Sequence, residues 1–207
     1  MAVRKVQNHG KNIIGRFPSV KLGRSVEFES LIERDYIYLL DFDTAVTWFA
    51  EQPFTIEYQH EGKKLTYTPD FHVIRDGQQI VVECKPAKYV NSAINQRKFQ
   101  AARAWCEAKG WHFEVATDAE IRGGHRLTNV RRLTQFARYS IPPQTKEQIC
   151  FYLSQKSEAI IADVMNHIAN DNPQSVIIPI LNMAFHHELI IPLDEAPITP
   201  TTSVKLP

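Results

Sequence analysis

The amino-acid sequence predicts a mixed α/β domain built on a central sheet, with a smaller domain after it. The chain has 207 residues and is 43% apolar, which is enough to bury a core. Helical apolar spacing alternates with strand-like runs in the order helix, β-meander, helix, strand, helix. This order is typical of a mixed sheet flanked by helices.

The first 25 residues are predicted to form an extended basic arm. Glycines and Pro18 interrupt any periodicity there, and the first 26 residues contain no acidic group. Such a segment suits the phosphate backbone of DNA, although a solvated surface with uneven charge would leave the same pattern. The candidate DNA-binding residues of the arm are Arg4, Lys5, Lys11, Arg16, Lys21 and Arg24.

Residues 26–142 are predicted to form the α/β domain. Its clearest local signal is Asp76-Gly77, the sequence of a type I′ turn, which folds two strands into a hairpin. Ser92 has the position of a helix N-cap, and Gly110 lies just past the end of the same helix. The helices are expected over 27–40, 92–109 and 125–139, and the strands over 55–59, 65–73, 72–75, 78–85 and 111–116.

A proline pair at Ile141-Pro142-Pro143 indicates the start of a C-terminal domain over 143–207. Two apolar stretches, 189–193 and 203–206, are expected to pair as a wing beside three helices. This combination predicts a small winged-helix-like domain. The expected helices cover 145–153, 158–169 and 173–186.

Cysteine usage and hydropathy limit the class of protein. The three cysteines are widely separated and form no Cys-x-x-Cys pair, which argues against a disulfide framework and a zinc site. No stretch approaches the roughly 18 consecutive apolar residues of a membrane helix, and the basic N-terminus lacks the apolar region of a signal peptide. These features predict a soluble cytoplasmic protein.

The strongest chemical signal is a pair of carboxylates followed by a lysine. Asp70 follows Thr68-Pro69, and twelve residues separate it from Glu83, which Lys85 follows two positions later. Side chains alternate between the faces of a strand, so Glu83 and Lys85 share one face. The Asp76-Gly77 hairpin is expected to bring Asp70 beside Glu83.

Two adjacent carboxylates repel each other unless one is protonated or a cation lies between them. Mg²⁺ is the natural cation, with Mn²⁺ as a substitute, because it binds a few carboxylates and keeps several waters. An ion held by Asp70, Glu83 and the backbone carbonyl of Cys84 would bind a phosphate and activate water, while Lys85 orients the water or stabilises charge. The same residues also fit an ordinary surface pair of Glu83 and Lys85.

Two neighbouring segments add candidates to this site. Glu33 on the first helix is expected to approach the carboxylates as a catalytic residue and a further metal ligand, and Glu29, one turn earlier, competes for that role. The segment after the site strand contributes Lys88 and Lys98 as DNA-binding candidates and Gln96 as an accessory residue. An exposed helix face is the alternative for these three.

Five motifs in series resemble the TnsA family, the restriction-endonuclease-like subunits of heteromeric transposases. The resemblance extends over roughly residues 24–120, and the order and spacing of the motifs make it specific. The motifs are Glu29-Ser30-Leu31-Ile32-Glu33-Arg34-Asp35, Leu40-Asp41-Phe42-Asp43, Glu51-Gln52-Pro53-Phe54, Tyr67-Thr68-Pro69-Asp70-Phe71 and Val82-Glu83-Cys84-Lys85-Pro86.

The resemblance implies a PD-(D/E)XK nuclease fold with Glu33, Asp70, Glu83 and Lys85 as catalytic residues. It implies cleavage of the non-transferred strand at the 5′ ends of a transposon, for cut-and-paste transposition in a bacterial cytoplasm, with nucleoid association during activity. The implied partners are double-stranded DNA, a TnsB-type DDE transposase and a TnsC-type AAA+ regulator. Some family members work with RNA-guided, CRISPR-associated targeting complexes, which nothing in this chain indicates.

The C-terminal domain of the family contacts the regulator, and the charge of the chain bears on that role. Residues 143–207 carry three Lys or Arg against seven Asp or Glu, whereas residues 1–142 carry 21 against 16. This acidity favours a protein partner over DNA. Two other functions remain open: a stand-alone restriction or repair endonuclease, and a non-catalytic DNA-binding adaptor on an inactive nuclease fold.

Overall fold

The structure is a computed structural model that describes residues 13–169 and 171–207. It divides into two compact units, the first ending at Gly123 and the second covering Gly124–Pro207. The sequence had indicated a boundary at 142/143. The structural boundary comes earlier because Asn129, which is buried, donates hydrogen bonds to the carbonyls of Leu193 and Ala196, 2.8 Å away in each case. These long-range contacts make residues 124–142 part of the second unit.

The first unit begins with a β-hairpin where the sequence had predicted an extended arm. Strands β1 (Gly15–Pro18) and β2 (Ser25–Phe28) pair antiparallel. The buried ring of Phe17 packs edge-on against Tyr38 at 4.7 Å between ring centroids. Asp41 fixes the hairpin turn, because its carboxylate accepts hydrogen bonds from the Ser19 hydroxyl and from two backbone N–H groups of the turn. Residues 1–12 of the predicted arm lie outside the described residues.

A central mixed sheet follows, as predicted. Helix α1 (Leu31–Phe42) begins at the N-cap Ser30, because residues 25–28 belong to β2 rather than to the helix. The sheet has the order β3-β6-β7-β8, antiparallel between the first three strands and parallel between the last two. Its strands are β3 (Val46–Glu51), β6 (Phe71–Arg75), β7 (Gln78–Lys85) and β8 (His112–Thr117).

Turn and cap signals explain the local structure around this sheet. Asp76 and Gly77 both have positive φ angles, 49° and 76°, as a type I′ turn requires, so the predicted hairpin of β6 and β7 is confirmed. Strands β4 (Ile56–His60) and β5 (Lys63–Tyr67) form a third hairpin. The predicted strand over 65–73 is interrupted after Tyr67, because Pro69 has no N–H to donate to a ladder.

Three helices complete the first unit. The longest, α3 (Ala93–Glu107), begins as predicted at Ser92, whose hydroxyl accepts a hydrogen bond from the backbone N–H of Asn95. Gly110, with φ 68°, reverses the chain after it. The shorter helices are α2 (Ala87–Val90) and α4 (Asp118–Ile121).

The second unit is mostly helical, and a winged helix is not confirmed in it. The predicted wing pairs residues 189–193 with residues 203–206. In the structure, Val204 of the last strand pairs with Ala159, and a single bridge, from Ile190 to Lys205, joins the two predicted wing strands. Pro192 interrupts that stretch because it has no N–H for a ladder. The elements are α5 (Arg126–Thr134), α6 (Pro143–Ser154), β9 (Ala159–Ile160), α7 (Ile161–Ile168), a 3₁₀ turn (Pro173–Val176), α8 (Ile177–Phe185) and β10 (Ser203–Val204).

Within residues 13–169 and 171–207, none of the helices has the length and apolar character needed to cross a membrane.

Candidate active site

A cavity of about 730 Å³ in the first unit brings the predicted site residues together. Glu33, Asp70, Glu83 and Lys85 all line it. Two further charged residues, Glu29 and Lys98, also reach its wall. The cavity therefore holds four carboxylates against two ammonium groups, an excess of negative charge in a partly closed space.

Asp70 reaches the cavity because the chain breaks between two strands. It follows Pro69 and directly precedes β6, so it belongs to neither ladder. Its Oδ2 accepts a hydrogen bond from the backbone N–H of Cys84 at 2.8 Å, which joins it to the site strand β7. Phe71 lies opposite Val82 in the β6–β7 pairing, so Asp70 comes next to Glu83 as the hairpin prediction required.

Glu83 is almost fully enclosed, with 3% of its surface exposed. Its Oε2 accepts a hydrogen bond from the Tyr67 hydroxyl at 2.6 Å, and its Oε1 lies 2.7 Å from Nζ of Lys85. Burial alone would lower the pKa of Lys85, but Glu83 outweighs it and holds that pKa above its usual value. Lys85 therefore stays charged beside the carboxylates.

Glu33 lies at the start of α1, where local hydrogen bonds occupy both of its oxygens. Oε2 accepts from the backbone N–H of Glu29 at 2.8 Å, and Oε1 accepts from the Ser30 hydroxyl at 2.6 Å. Ser30 in turn accepts from the Glu33 backbone N–H at 3.2 Å, which is a capping arrangement. By contrast, Oε1 of Glu29 is buried without a hydrogen-bond partner. Glu33 thus faces the site, but it also stabilises the helix start.

The carboxylates disturb one another's protonation. Burial raises the pKa of Asp70 well above its usual value, and the charges of Glu83 and Glu33 raise it further. Burial likewise raises the pKa of Glu33, with Glu29 and Glu83 adding to the shift. Repelling, desolvated carboxylates of this kind occur where a proton or a bound cation normally neutralises them.

The cavity offers carboxylate oxygens as possible metal ligands, but these are not gathered into a preformed metal-binding cluster. In the part of the chain that the structure describes, no group of three or more His, Cys, Asp or Glu side chains is arranged to hold a metal ion. Hydrogen bonds from the chain already engage both oxygens of Glu83 and Oδ2 of Asp70. Such a set matches a cation that takes one or two carboxylates and fills its remaining positions with water.

A comparison with known protein families finds a similarity over part of the chain around this cavity. Residues 43–118 match the family model of the TnsA-like endonuclease N-terminal domain. Over these residues the chain is similar to the N-terminal domain of TnsA-like endonucleases. The matched segment contains Asp70, Glu83 and Lys85, whereas Glu33 precedes it. A comparison with curated proteins found no match.

The three accessory candidates lie in different surroundings. Lys98 lines the cavity, with Nζ 5.6 Å from the ring centroid of Tyr67. Gln96 does not line it: its side chain donates a hydrogen bond to the carbonyl of Val90 at 2.9 Å and so holds the turn between α2 and α3. Lys88 lies on the exposed surface, 4.8 Å from the ring centroid of Tyr89.

Three of the predicted DNA-binding residues of the arm are within the described chain, and each has a protein partner. Arg16 forms an exposed ion pair with Glu27 at 3.2 Å. Lys21 donates from Nζ to two backbone carbonyls at the end of α1 and the start of β3. Arg24 forms a two-pronged pair with Glu51, at 2.8 and 2.7 Å. Arg4, Lys5 and Lys11 lie outside the described residues.

Sequence reasoning missed two residues of this cavity. Tyr67 was absent from the predicted site, although it directly precedes Thr68-Pro69-Asp70, and its pKa is raised by burial and then by Glu83. Gln52 is 8% exposed and lines the cavity as well. Gln52 belongs to the motif Glu51-Gln52-Pro53-Phe54, but nothing in the local sequence shows that this turn faces Asp70.

Proposed function

We propose that this protein is a Mg²⁺-dependent endonuclease subunit of a heteromeric transposase, which cuts the non-transferred strand at the 5′ ends of a transposon. The main support is the convergence of Asp70, Glu83 and Lys85 on one cavity within a TnsA-like endonuclease domain. A nuclease of this class needs a metal, a charge-stabilising cation and room for a phosphodiester. The cavity offers residues of each required type.

The donor set of the cavity fits Mg²⁺. Asp70 and Glu83 would hold the ion, together with the backbone carbonyl of Cys84, and Glu29 has an unpartnered Oε1 available as a further oxygen. Burial and the charges of Glu83 and Glu33 raise the pKa of Asp70, and a cation beside this carboxylate would favour its ionised form. When bound there, Mg²⁺ supplies Lewis-acid stabilisation of phosphate charge and a more acidic water.

The side chains that line the cavity then have separate roles in the proposed cleavage. Tyr67 and Lys85 fix both oxygens of Glu83, so this carboxylate keeps one orientation. The Cys84 N–H does the same for Asp70. The Lys85 ammonium, 25% exposed, donates to the attacking water or to a phosphate oxygen as negative charge develops. Lys98 supplies a second positive charge for the approaching strand.

The proposed partners are double-stranded DNA at the transposon ends, a TnsB-type DDE transposase and a TnsC-type AAA+ regulator. The charge of the second unit no longer favours a protein over DNA as its partner. With the boundary after Gly123, that unit carries seven Lys or Arg and seven Asp or Glu, so it is neutral. The acidity over 143–207 depended on assigning four arginines to the first domain.

Reconstitution of cleavage would test the proposed function. A labelled duplex carrying a transposon end is incubated with Mg²⁺ and the protein, with and without the adjacent transposase. We expect a nick at the 5′ end only when both proteins are present. Cutting by the protein alone would favour a stand-alone nuclease, and no cutting in either mixture would favour the adaptor.

The basic N-terminus gives a second prediction. Deleting residues 1–12, which contain Arg4, Lys5 and Lys11, should weaken DNA binding and reduce the slope of log affinity against log salt by roughly 2 to 3 units. The reason is that binding releases about one counterion from the DNA for each phosphate contact, and the shortened protein makes fewer contacts. Fluorescence anisotropy over a salt series measures the slope. An unchanged slope would mean that residues 1–12 do not contact the phosphate backbone of DNA.

The length of this deletion matters, because residues 13–24 are structural. Removing them would take away β1 with the buried side chain of Phe17, and would also break the Arg24–Glu51 pair. A matched control replaces Arg16 by alanine in the full chain. Its exposed ion pair should contribute little to stability.

A further inference from the structure

Gln52 has a backbone conformation that ordinary side chains rarely adopt. Its φ angle is 41°, in the left-handed region, although it is not glycine. Its backbone N–H donates a hydrogen bond to the carbonyl of Asp70 at 2.8 Å. Strained residues of this kind persist only where their surroundings hold them, and they cluster at functional sites.

The chain on both sides holds Gln52 in this conformation. Glu51 precedes it at the end of β3, and the two-pronged pair with Arg24 anchors that residue. Pro53 follows, with its φ angle fixed by the ring. The result is a rigid turn that places Gln52 on the wall of the cavity beside Asp70 and Glu83.

The side-chain oxygen of Gln52 makes no hydrogen bond within the described protein. The residue is more than nine-tenths buried, and its Oε1 has no hydrogen-bond partner. A buried amide oxygen without a partner destabilises a fold, so burial of this atom needs another explanation. Its charged neighbours across the cavity are mainly carboxylates, which accept hydrogen bonds rather than donate them. None of the ammonium or hydroxyl donors on the cavity wall hydrogen-bonds this oxygen in the described protein, which leaves it available to a donor from outside the chain.

We propose that Gln52 is a positioning residue that hydrogen-bonds a water of the hydrated cation held by Asp70 and Glu83. A Mg²⁺ ion bound by one or two carboxylates keeps several waters, and each such water is a strong donor. Outer-shell groups fix the orientation of these ligands and tune the affinity for the ion. This inference rests on the proposed metal-dependent cleavage, and it extends the site to a residue outside the carboxylate–lysine set.

Replacing Gln52 by methionine tests this role, because methionine is similar in length and unbranched but cannot hydrogen-bond through an amide. We expect Gln52→Met in the full chain to bind Mn²⁺ about tenfold to a hundredfold more weakly, measured by calorimetric titration. The Tm without metal should stay the same or rise, since the variant buries no unpartnered carboxamide. Gln52→Glu keeps an acceptor oxygen and should retain Mn²⁺ binding.

A matched control exists in the same domain. Glu61 also has a left-handed backbone, with φ 50°, but it is exposed in the turn between β4 and β5. Glu61→Met should leave Mn²⁺ affinity unchanged, which separates loss of the carboxamide from the general effect of methionine in this conformation. Cleavage in the reconstituted assay should fall with Gln52→Met and not with Glu61→Met.

The outcomes separate this inference from the proposed function. Wild-type protein that binds no Mn²⁺, alone or with DNA, would contradict the metal site itself. Binding that is lost in Asp70→Ala but normal in Gln52→Met would overturn only the role of Gln52. A Tm several degrees lower for Gln52→Met, or lost binding in Gln52→Glu, would also overturn it, since the carboxamide would then serve the fold.

Discussion

Replacing Asp70 by asparagine is expected to abolish strand cleavage and to stabilise the protein in the absence of metal. Cleavage should fall by at least about 10³-fold, because a neutral amide cannot take the place of a carboxylate opposite a cation and a developing phosphate charge. The fold should survive, since the amide oxygen can still accept the hydrogen bond that Asp70 receives from the Cys84 N–H. End-nicking in the reconstituted system measures the loss.

The stabilising effect follows from the raised pKa of Asp70. Burial and the charges of Glu83 and Glu33 make the folded protein bind this proton more tightly than the unfolded chain does. The contribution of Asp70 to stability without metal should therefore be fully present below about pH 4, the usual pKa of an aspartate, and should be lost as the pH rises through the raised value. Thermal melts from pH 4 to 8 in chelator should show this fall, and Mn²⁺ should reverse it at the higher pH.

The asparagine variant should lose part of this pH dependence, with the rest remaining because the pKa of Glu33 is also raised. Asp76→Asn is a suitable control, because Asp76 lies in the exposed turn between β6 and β7 and asparagine tolerates its positive φ angle. It should leave cleavage and the pH profile unchanged. If Asp70→Asn still cut with normal metal dependence, Asp70 would not belong to the active site.

The parts of the site that follow from local sequence were predictable. Asp76-Gly77 determines a tight turn on its own, so the pairing of β6 with β7 could be derived without knowledge of the rest of the fold. The alternation of side chains along β7 then puts Glu83 and Lys85 on one face. The approach of Asp70 to Glu83 is a consequence of these two local rules.

The parts that depend on distant contacts were not predictable. The hairpin over residues 15–28 requires Asp41, at the far end of α1, to accept hydrogen bonds from its turn. The domain boundary depends on Asn129 and its contacts more than sixty residues later in the chain. The turn that brings Gln52 to the cavity is anchored by the pair of Arg24 with its neighbour Glu51, 27 residues apart in the chain. Sequence periodicity contains no information about such pairs.

Replacing Lys85 by alanine is expected to slow cleavage by about 10²- to 10³-fold while Mn²⁺ binding persists. An ammonium group cannot be a metal ligand, so its loss removes charge stabilisation and water orientation without removing an oxygen donor. Cleavage rates and Mn²⁺ titrations on the same preparation measure the two effects separately. Loss of Mn²⁺ binding would contradict the assigned role of Lys85.

Lys85→Ala should also make the stability of the protein depend on Mn²⁺. Without Lys85, the Glu83 carboxylate is buried with no cation beside it, which we expect to cost about 3 kcal/mol of unfolding free energy in chelator. Saturating Mn²⁺ should restore most of this loss, because it supplies the missing positive charge. Lys64 pairs with Glu57 at the same 2.7 Å, but both side chains are well exposed, so Lys64→Ala should change stability by less than about 1 kcal/mol and should not respond to Mn²⁺. Equal losses in the two variants, with and without Mn²⁺, would mean that the cavity neither isolates Glu83 from water nor holds a cation beside it.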